Sequence, residues 1–120
     1  MFELSIKGNF AAAHSLRGYE GKCKNLHGHT WKVEVVIVSD RIDAIGMVAD
    51  FALLKKRLRE FLERLDHVHL NDIPYFKDAN PTTENLAKYI YDEFPKFSGS
   101  ISLKKVTVWE SDHASATYYK

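Results

Sequence analysis

The stretch CKNLHGHTW, residues 23–31, carries the chain's one cysteine and two of its six histidines. On a β-strand the side chains of residues i and i+2 point the same way. His27 and His29 can therefore both reach one ion about 2 Å from each imidazole nitrogen. His14 ends an earlier alternating segment on its apolar parity and can supply a third nitrogen. Three neutral histidines around Zn2+ leave a fourth position open, the arrangement of catalytic rather than structural zinc. An HxH pair alone reads equally as two half-buried histidines, and it is His14 at matching parity that favours metal. Cys23 has three readings: a fourth ligand that closes the site, a thiol held beside an open one, or an inert small hydrophobe. Its place between Lys22 and Lys24 favours the reactive thiol, because neighbouring positive charge stabilises the thiolate.

Two further groups could move protons or hold a ligand. In LDHVHLND, Asp66 adjoins His67, and a carboxylate beside an imidazole orients it and makes it more basic, as a general acid–base requires. The competing reading is a histidine favoured at a helix C-terminus on electrostatic grounds alone. Glu110, in VTVWES, is either a surface or ion-paired carboxylate or an acceptor for a ligand with two parallel N–H donors.

The elements that must position these groups follow from hydrophobic period. Phe2, Leu4, Ile6, Phe10 and Ala12 alternate with polar residues, which predicts a strand over 2–14. RGYEGKCKN has two glycines and no periodicity and reads as a loop. A second strand is predicted from about His29 to Val38, with Trp31, Val33, Val35 and Ile37 on the face that His27 and His29 share. From Asp50, an N-cap, the period changes: Phe51, Leu54, Leu58, Phe61, Leu62 and Leu65 form the inward stripe of a helix. Thr82 caps a second helix with Leu86, Ile90 and Phe94 inward and Pro95 as its stop. Two strands, about 101–110 and 116–119, complete the order β-β-α-α-β-β. Val36, Val38, Val106 and Val108 put apolar residues on both parities, so the sheet's second face or its edges are expected to be closed by other copies of the chain.

A length of 120 residues suits one domain spanning 1–120, and 45% apolar with 28% charged residues is the balance of a folded soluble protein. Seventeen basic against sixteen acidic side chains give a net charge of +1, which offers no pull toward nucleic acid or an anionic membrane. MFELSIKGNF lacks the regions of a signal peptide, and a cytoplasmic location is expected. One cysteine cannot form an internal disulfide.

In order along nearly the whole chain stand His14, CKNLHGH, GMVADFALLK, LDHVHLND, PTTENLA and VWES followed by tyrosine. This series resembles the 6-pyruvoyl-tetrahydropterin synthase and 6-carboxytetrahydropterin synthase family. The resemblance implies an α+β tunnelling fold (T-fold): β-β-α-α-β-β subunits with an antiparallel four-stranded sheet, joined into trimer barrels or stacked hexamers. It implies zinc on His14, His27 and His29, a thiol base at Cys23, and an Asp66–His67 proton relay lent by a neighbouring subunit to an interface site. Glu110 would anchor the pterin ring, with Thr82, Thr83 and Glu84 as further pterin contacts. Asp50 and Phe51, also in a family motif, read as cap and core, and His69 has no implied role. Three residues separate Cys23 from HGH, as in the 6-carboxy enzymes of the 7-deazaguanine (queuosine) pathway, whereas pyruvoyl-forming members usually have five. The implied reaction turns 7,8-dihydroneopterin triphosphate into 6-carboxy-5,6,7,8-tetrahydropterin, acetaldehyde and triphosphate. A pyruvoyl-forming synthase and, more remotely, a non-enzymatic zinc-binding module are the alternatives.

Overall fold

A computed structural model describes residues 1–120. Two long strands, β1 (Phe2–His14) and β2 (His27–Ser39), pair antiparallel over their whole length. β4 (Ser102–Ser111) joins the other side of β2, and β5 (Ala114–Tyr119) joins β4, both antiparallel. The helices α1 (Phe51–Leu62) and α3 (Thr83–Glu93) pack on one face, α1 against β1 and α3 against β4 and β5. Their caps form as the sequence requires: Asp50 accepts from the Ala52 N–H at 2.8 Å and Thr82 from the Asn85 N–H at 3.1 Å. Each is worth about 1 kcal/mol.

The core lies between the helices and one sheet face. Leu54, Leu58, Phe61, Leu62 and Leu65 meet Ile6, Phe10, Trp31, Val33 and Val35 there. Each such side chain contributes about 1.5–3 kcal/mol by burial. Gly8 lets α1 approach β1 closely, since a Cβ there would stand 3.0 Å from Leu62 Cδ1 and 3.2 Å from Leu58 Cδ2.

Four expectations are corrected. The sheet has five strands, in the order β3-β1-β2-β4-β5, because Val68–His69 (β3) pairs parallel with Ala12 and Ala13. A one-turn helix, α2 (Tyr75–Asp78), stands between α1 and α3. Phe51 is 50% exposed rather than core, since as the first helical residue it precedes the turn that contacts the sheet. Val106 and Val108 pair with Val35 and Val33 and so face the helices with them. On the other face only Val36 is a fully buried aliphatic, amid Lys7, Lys32, Glu34, Lys105 and Thr107. That face is mixed, with Val38 and Trp109 half-buried on it and Lys7 Nζ over the Trp109 ring, and the unpaired backbone lies at the edges: no strand covers β5, and on the outer side of β1 only residues 11–13 are engaged.

Candidate active site

The register sets His14 opposite His27 and Ala12 opposite His29, so three imidazoles meet at one end of the helix-covered face. Their ring centroids are 4.5, 5.2 and 4.8 Å apart, and Trp31 lies edge-on beneath His14 and His29. The outer nitrogens are already engaged: His14 Nδ1 is 2.7 Å from the Pro81 carbonyl and His27 Nδ1 is 2.7 Å from the Asn25 carbonyl. A carbonyl only accepts, so each Nδ1 holds the proton and each Nε2 presents a lone pair. Those two Nε2 atoms face each other at 3.0 Å. Neutral, they repel, and a cation between them turns the repulsion into coordination.

His29 Nε2 is buried with no hydrogen-bond partner. Glu110 Oε1 lies 3.1 Å from it, a close approach that is not aligned as a hydrogen bond. Burial lowers the pKa of His14, partly offset by the Pro81 carbonyl, and burial lowers that of His29 against the pull of Glu110. Both shifts favour the neutral, ligating ring. The donor atoms of His14, His27, His29 and Glu110 all lie within 4.8 Å of one another, and this group can hold a metal ion. The carbonyls on the far ring nitrogens are what orients histidine ligands in metal sites.

Glu110 reaches the cluster through a β-bulge. The β4–β5 register shifts between Trp109 and Ser111, leaving Glu110 unpaired with β5. Its second oxygen accepts from Thr83 Oγ1 at 3.1 Å. Thr83, Glu84 and Glu110, with Ala114, Ser115 and Ala116 of β5, line an open pocket of about 440 Å3. Thr82 keeps its hydroxyl in the helix cap.

Cys23 is half-buried in the 3-10 turn Lys22–Lys24, and its carbonyl accepts from the Leu16 N–H at 3.0 Å. Its sulfur is not among the converging donors, whose fourth residue is Glu110. Arg17, near in sequence, donates to the Phe76 carbonyl at 2.8 Å.

Asp66 and His67 form a close pair outside this cluster. His67 Nδ1 is 2.9 Å from Asp66 Oδ2, and Asp66 Oδ1 accepts from the Ala11 N–H at 2.9 Å. The Ala11 amide, with His67 second, holds the Asp66 carboxyl below its ordinary value. The His67 N–H donates back to the Ala11 carbonyl at 2.6 Å, and His67 has φ 57, the chain's one non-glycine residue at positive φ. Such a backbone persists only where its surroundings enforce it, and the imidazole it carries is 82% exposed. His69 makes only a 3.7 Å approach to Asp72. Sequence reasoning missed the carbonyls of Asn25 and Pro81 and the closeness of Glu110 to His29. Backbone groups leave no residue-type signal, and the bulge cannot be read from period.

Comparison with known proteins places these features in a family context. The family model described as 6-pyruvoyl tetrahydropterin synthase matches residues 3–120. A human protein named 6-pyruvoyl tetrahydrobiopterin synthase is 43% identical over 102 residues, spanning 82% of this chain and 70% of its own length. A Synechocystis protein named 6-carboxy-5,6,7,8-tetrahydropterin synthase is 37% identical over 116 residues, spanning 92% and 88%. The structure of Caenorhabditis elegans 6-pyruvoyl tetrahydropterin synthase superposes with a TM-score of 0.86 at 30% identity, over 99% of this chain and 95% of that one.

Proposed function

The chain belongs to the 6-pyruvoyl tetrahydropterin synthase family, and from that premise we propose that it is a zinc-dependent 6-carboxytetrahydropterin synthase. In this reading all of residues 1–120 serve as one domain that converts 7,8-dihydroneopterin triphosphate to 6-carboxy-5,6,7,8-tetrahydropterin, releasing acetaldehyde and triphosphate. The step belongs to 7-deazaguanine (queuosine) biosynthesis in the cytoplasm. The observation that carries it is the pair of facing Nε2 lone pairs on His14 and His27 with the orphaned His29 Nε2 beside them.

His14, His27 and His29 would hold the zinc, which when bound supplies Lewis acidity toward the oxygens of the substrate side chain. Glu110 accepts from the pterin ring N–H and exocyclic amino group, with Thr83 fixing its second oxygen. Thr82 and Glu84 complete that end of the pocket. Cys23, as thiolate, removes a side-chain proton, and His67, oriented by Asp66, carries protons to and from the intermediates. Asp66 and His67 are not among the converging donors, which supports a second copy lending them. The bare edges of β1 and β5 support a homo-oligomer, a trimer or a hexamer of two trimers, with the site at the interface.

The three-residue spacing before HGH supports the 6-carboxy branch, as does the fuller two-way coverage of the Synechocystis relative. The 43% identity to the human protein favours the second reading, a 6-pyruvoyl synthase. Mass spectrometry of the products formed by zinc-loaded protein, with acetaldehyde assayed in parallel, separates them. Carboxytetrahydropterin with acetaldehyde is expected. A pyruvoyl product without acetaldehyde overturns the branch, and an absence of turnover overturns the reading.

A further inference from the structure

Between His14 and Cys23 the chain leaves the sheet, yet it does not lose its extended hydrogen bonding. Asn71 Oδ1 accepts from the Ser15 N–H at 2.9 Å while its Nδ2 donates to the Ser15 carbonyl at 2.9 Å. Two residues on, Asn80 repeats the arrangement: Oδ1 accepts from the Arg17 N–H at 3.0 Å and Nδ2 donates to the Arg17 carbonyl at 2.7 Å. Ser15 and Arg17, at i and i+2, thus present backbone groups to one side, and Leu16 between them donates to the Cys23 carbonyl. A carboxamide carries one donor and one acceptor in the geometry of a peptide group, so each asparagine stands in for a residue of a neighbouring strand. Together they prolong the outer edge of β1, where β3 stops at Ala13.

The Asn80 anchor is itself held. The Asn80 carbonyl accepts from the Thr82 N–H and Asn85 Nδ2, and the carbonyl of the next residue, Pro81, accepts from His14 Nδ1–H. One dipeptide, Asn80–Pro81, therefore grips both the His14 ring and the backbone three residues later.

We infer that Asn71 and Asn80 are positioning residues: their side-chain amides hold the segment 15–17, and through Leu16 the turn bearing Cys23, in fixed relation to His14. The inference rests on the proposed role of Cys23 as the reacting thiol. Both side-chain amides are engaged by backbone groups, and each sets where the thiol sits.

The test uses Asn71→Asp and Asn80→Asp, which keep size and the acceptor for the N–H but set a carboxylate oxygen against a carbonyl. Asn71→Ser and Asn80→Ser are milder companions should the first pair fold poorly. The expected result is a fall of about tenfold or more in kcat with KM nearly unchanged, and a several-fold changed rate of Cys23 alkylation by iodoacetamide in substrate-free protein. Metal content should stay at the wild-type level. Variants with lowered Tm but wild-type kcat and alkylation rate would reduce the clamps to stability elements and overturn the inference. The alkylation rate is read without substrate, so it judges the clamps even if wild-type protein fails to turn over the pterin, an outcome that sinks the proposed function instead.

Discussion

The two groups of chemically capable side chains are built in opposite ways. The imidazole cluster lies on the helix-covered face, with His14 1% exposed, ring nitrogens fixed by carbonyls and Trp31 beneath. The Asp66–His67 pair hangs from the outer edge of β1, its imidazole 82% exposed on a backbone held at positive φ by Ala11. One region is finished inside a single chain; the other is displayed outward. A cluster whose donors all come from one chain needs only its own fold to assemble, whereas an exposed pair kept in a strained conformation becomes useful when another surface closes over it.

The largest effect expected is on the finished side. His27→Ala removes one of two facing lone pairs and should release the metal and abolish turnover. Metal analysis of the purified variant checks it, and an unchanged zinc content would break the site as drawn. Next come Cys23→Ala and His67→Ala, each expected to cost about 10²–10⁴-fold in kcat with metal retained. Here the contrast between regions becomes a mixing experiment. If His67 serves a neighbour's site, unfolding and reassembling the two inactive variants together should restore part of the activity, since some interfaces then carry an intact Cys23 and an intact His67. Mixtures as inactive as their parents, or a chain that stays monomeric at micromolar concentration, would place both residues in one subunit's chemistry.

Legibility in the sequence divides along the same line. The cluster could be read because a strand's period of two is strict: once 2–14 and 27–39 are strands, the parities of His14, His27 and His29 are determined. Asp50 and Thr82 announced their helices by cap chemistry. What escaped depends on contacts too short or too irregular to leave a period. β3 has two residues, α2 a single turn, and the bulge at Glu110 changes a side chain's aim without changing the residue pattern. The amides of Asn71 and Asn80 imitate backbone, which composition does not distinguish from ordinary loop polarity. Phe51 matched the helical stripe yet lies at the helix's first position, ahead of the contact surface. The expectation of apolar residues on both sheet faces holds for Val36 and Val38 but not for Val106 and Val108, because parity was assigned strand by strand and only the pairing of Val106 with Val35 reveals which parity of β4 faces inward.

A third, smaller effect isolates the strain at His67. At φ 57 a residue with a Cβ is disfavoured by about 1–2 kcal/mol relative to glycine. His67→Gly should therefore unfold at a higher temperature than His67→Ala while matching it in lost turnover. Equal melting temperatures would mean that the backbone relaxes once the imidazole is gone, and that the ring rather than Ala11 maintains the conformation.

The smallest effect concerns the Asp66 carboxylate, whose pKa is depressed chiefly by the Ala11 N–H and next by His67. A group depressed in the folded state stabilises it fully above the unfolded carboxylate value of about 3.9 and loses that contribution as pH falls through the lower folded value. Asp66 is 40% exposed, so water already screens much of this interaction. Thermal melts of wild type and Asp66→Asn, followed from neutral pH down into the acid range, should converge as the carboxylate protonates, the variant keeping an oxygen for the Ala11 N–H but no charge for His67. Curves that stay parallel to the lowest pH would mean that Asp66 does not help hold the exposed pair to β1. The anchor of the displayed region would then be the His67 N–H to Ala11 carbonyl bond alone, and the orientation of the imidazole would have to come from a group other than Asp66.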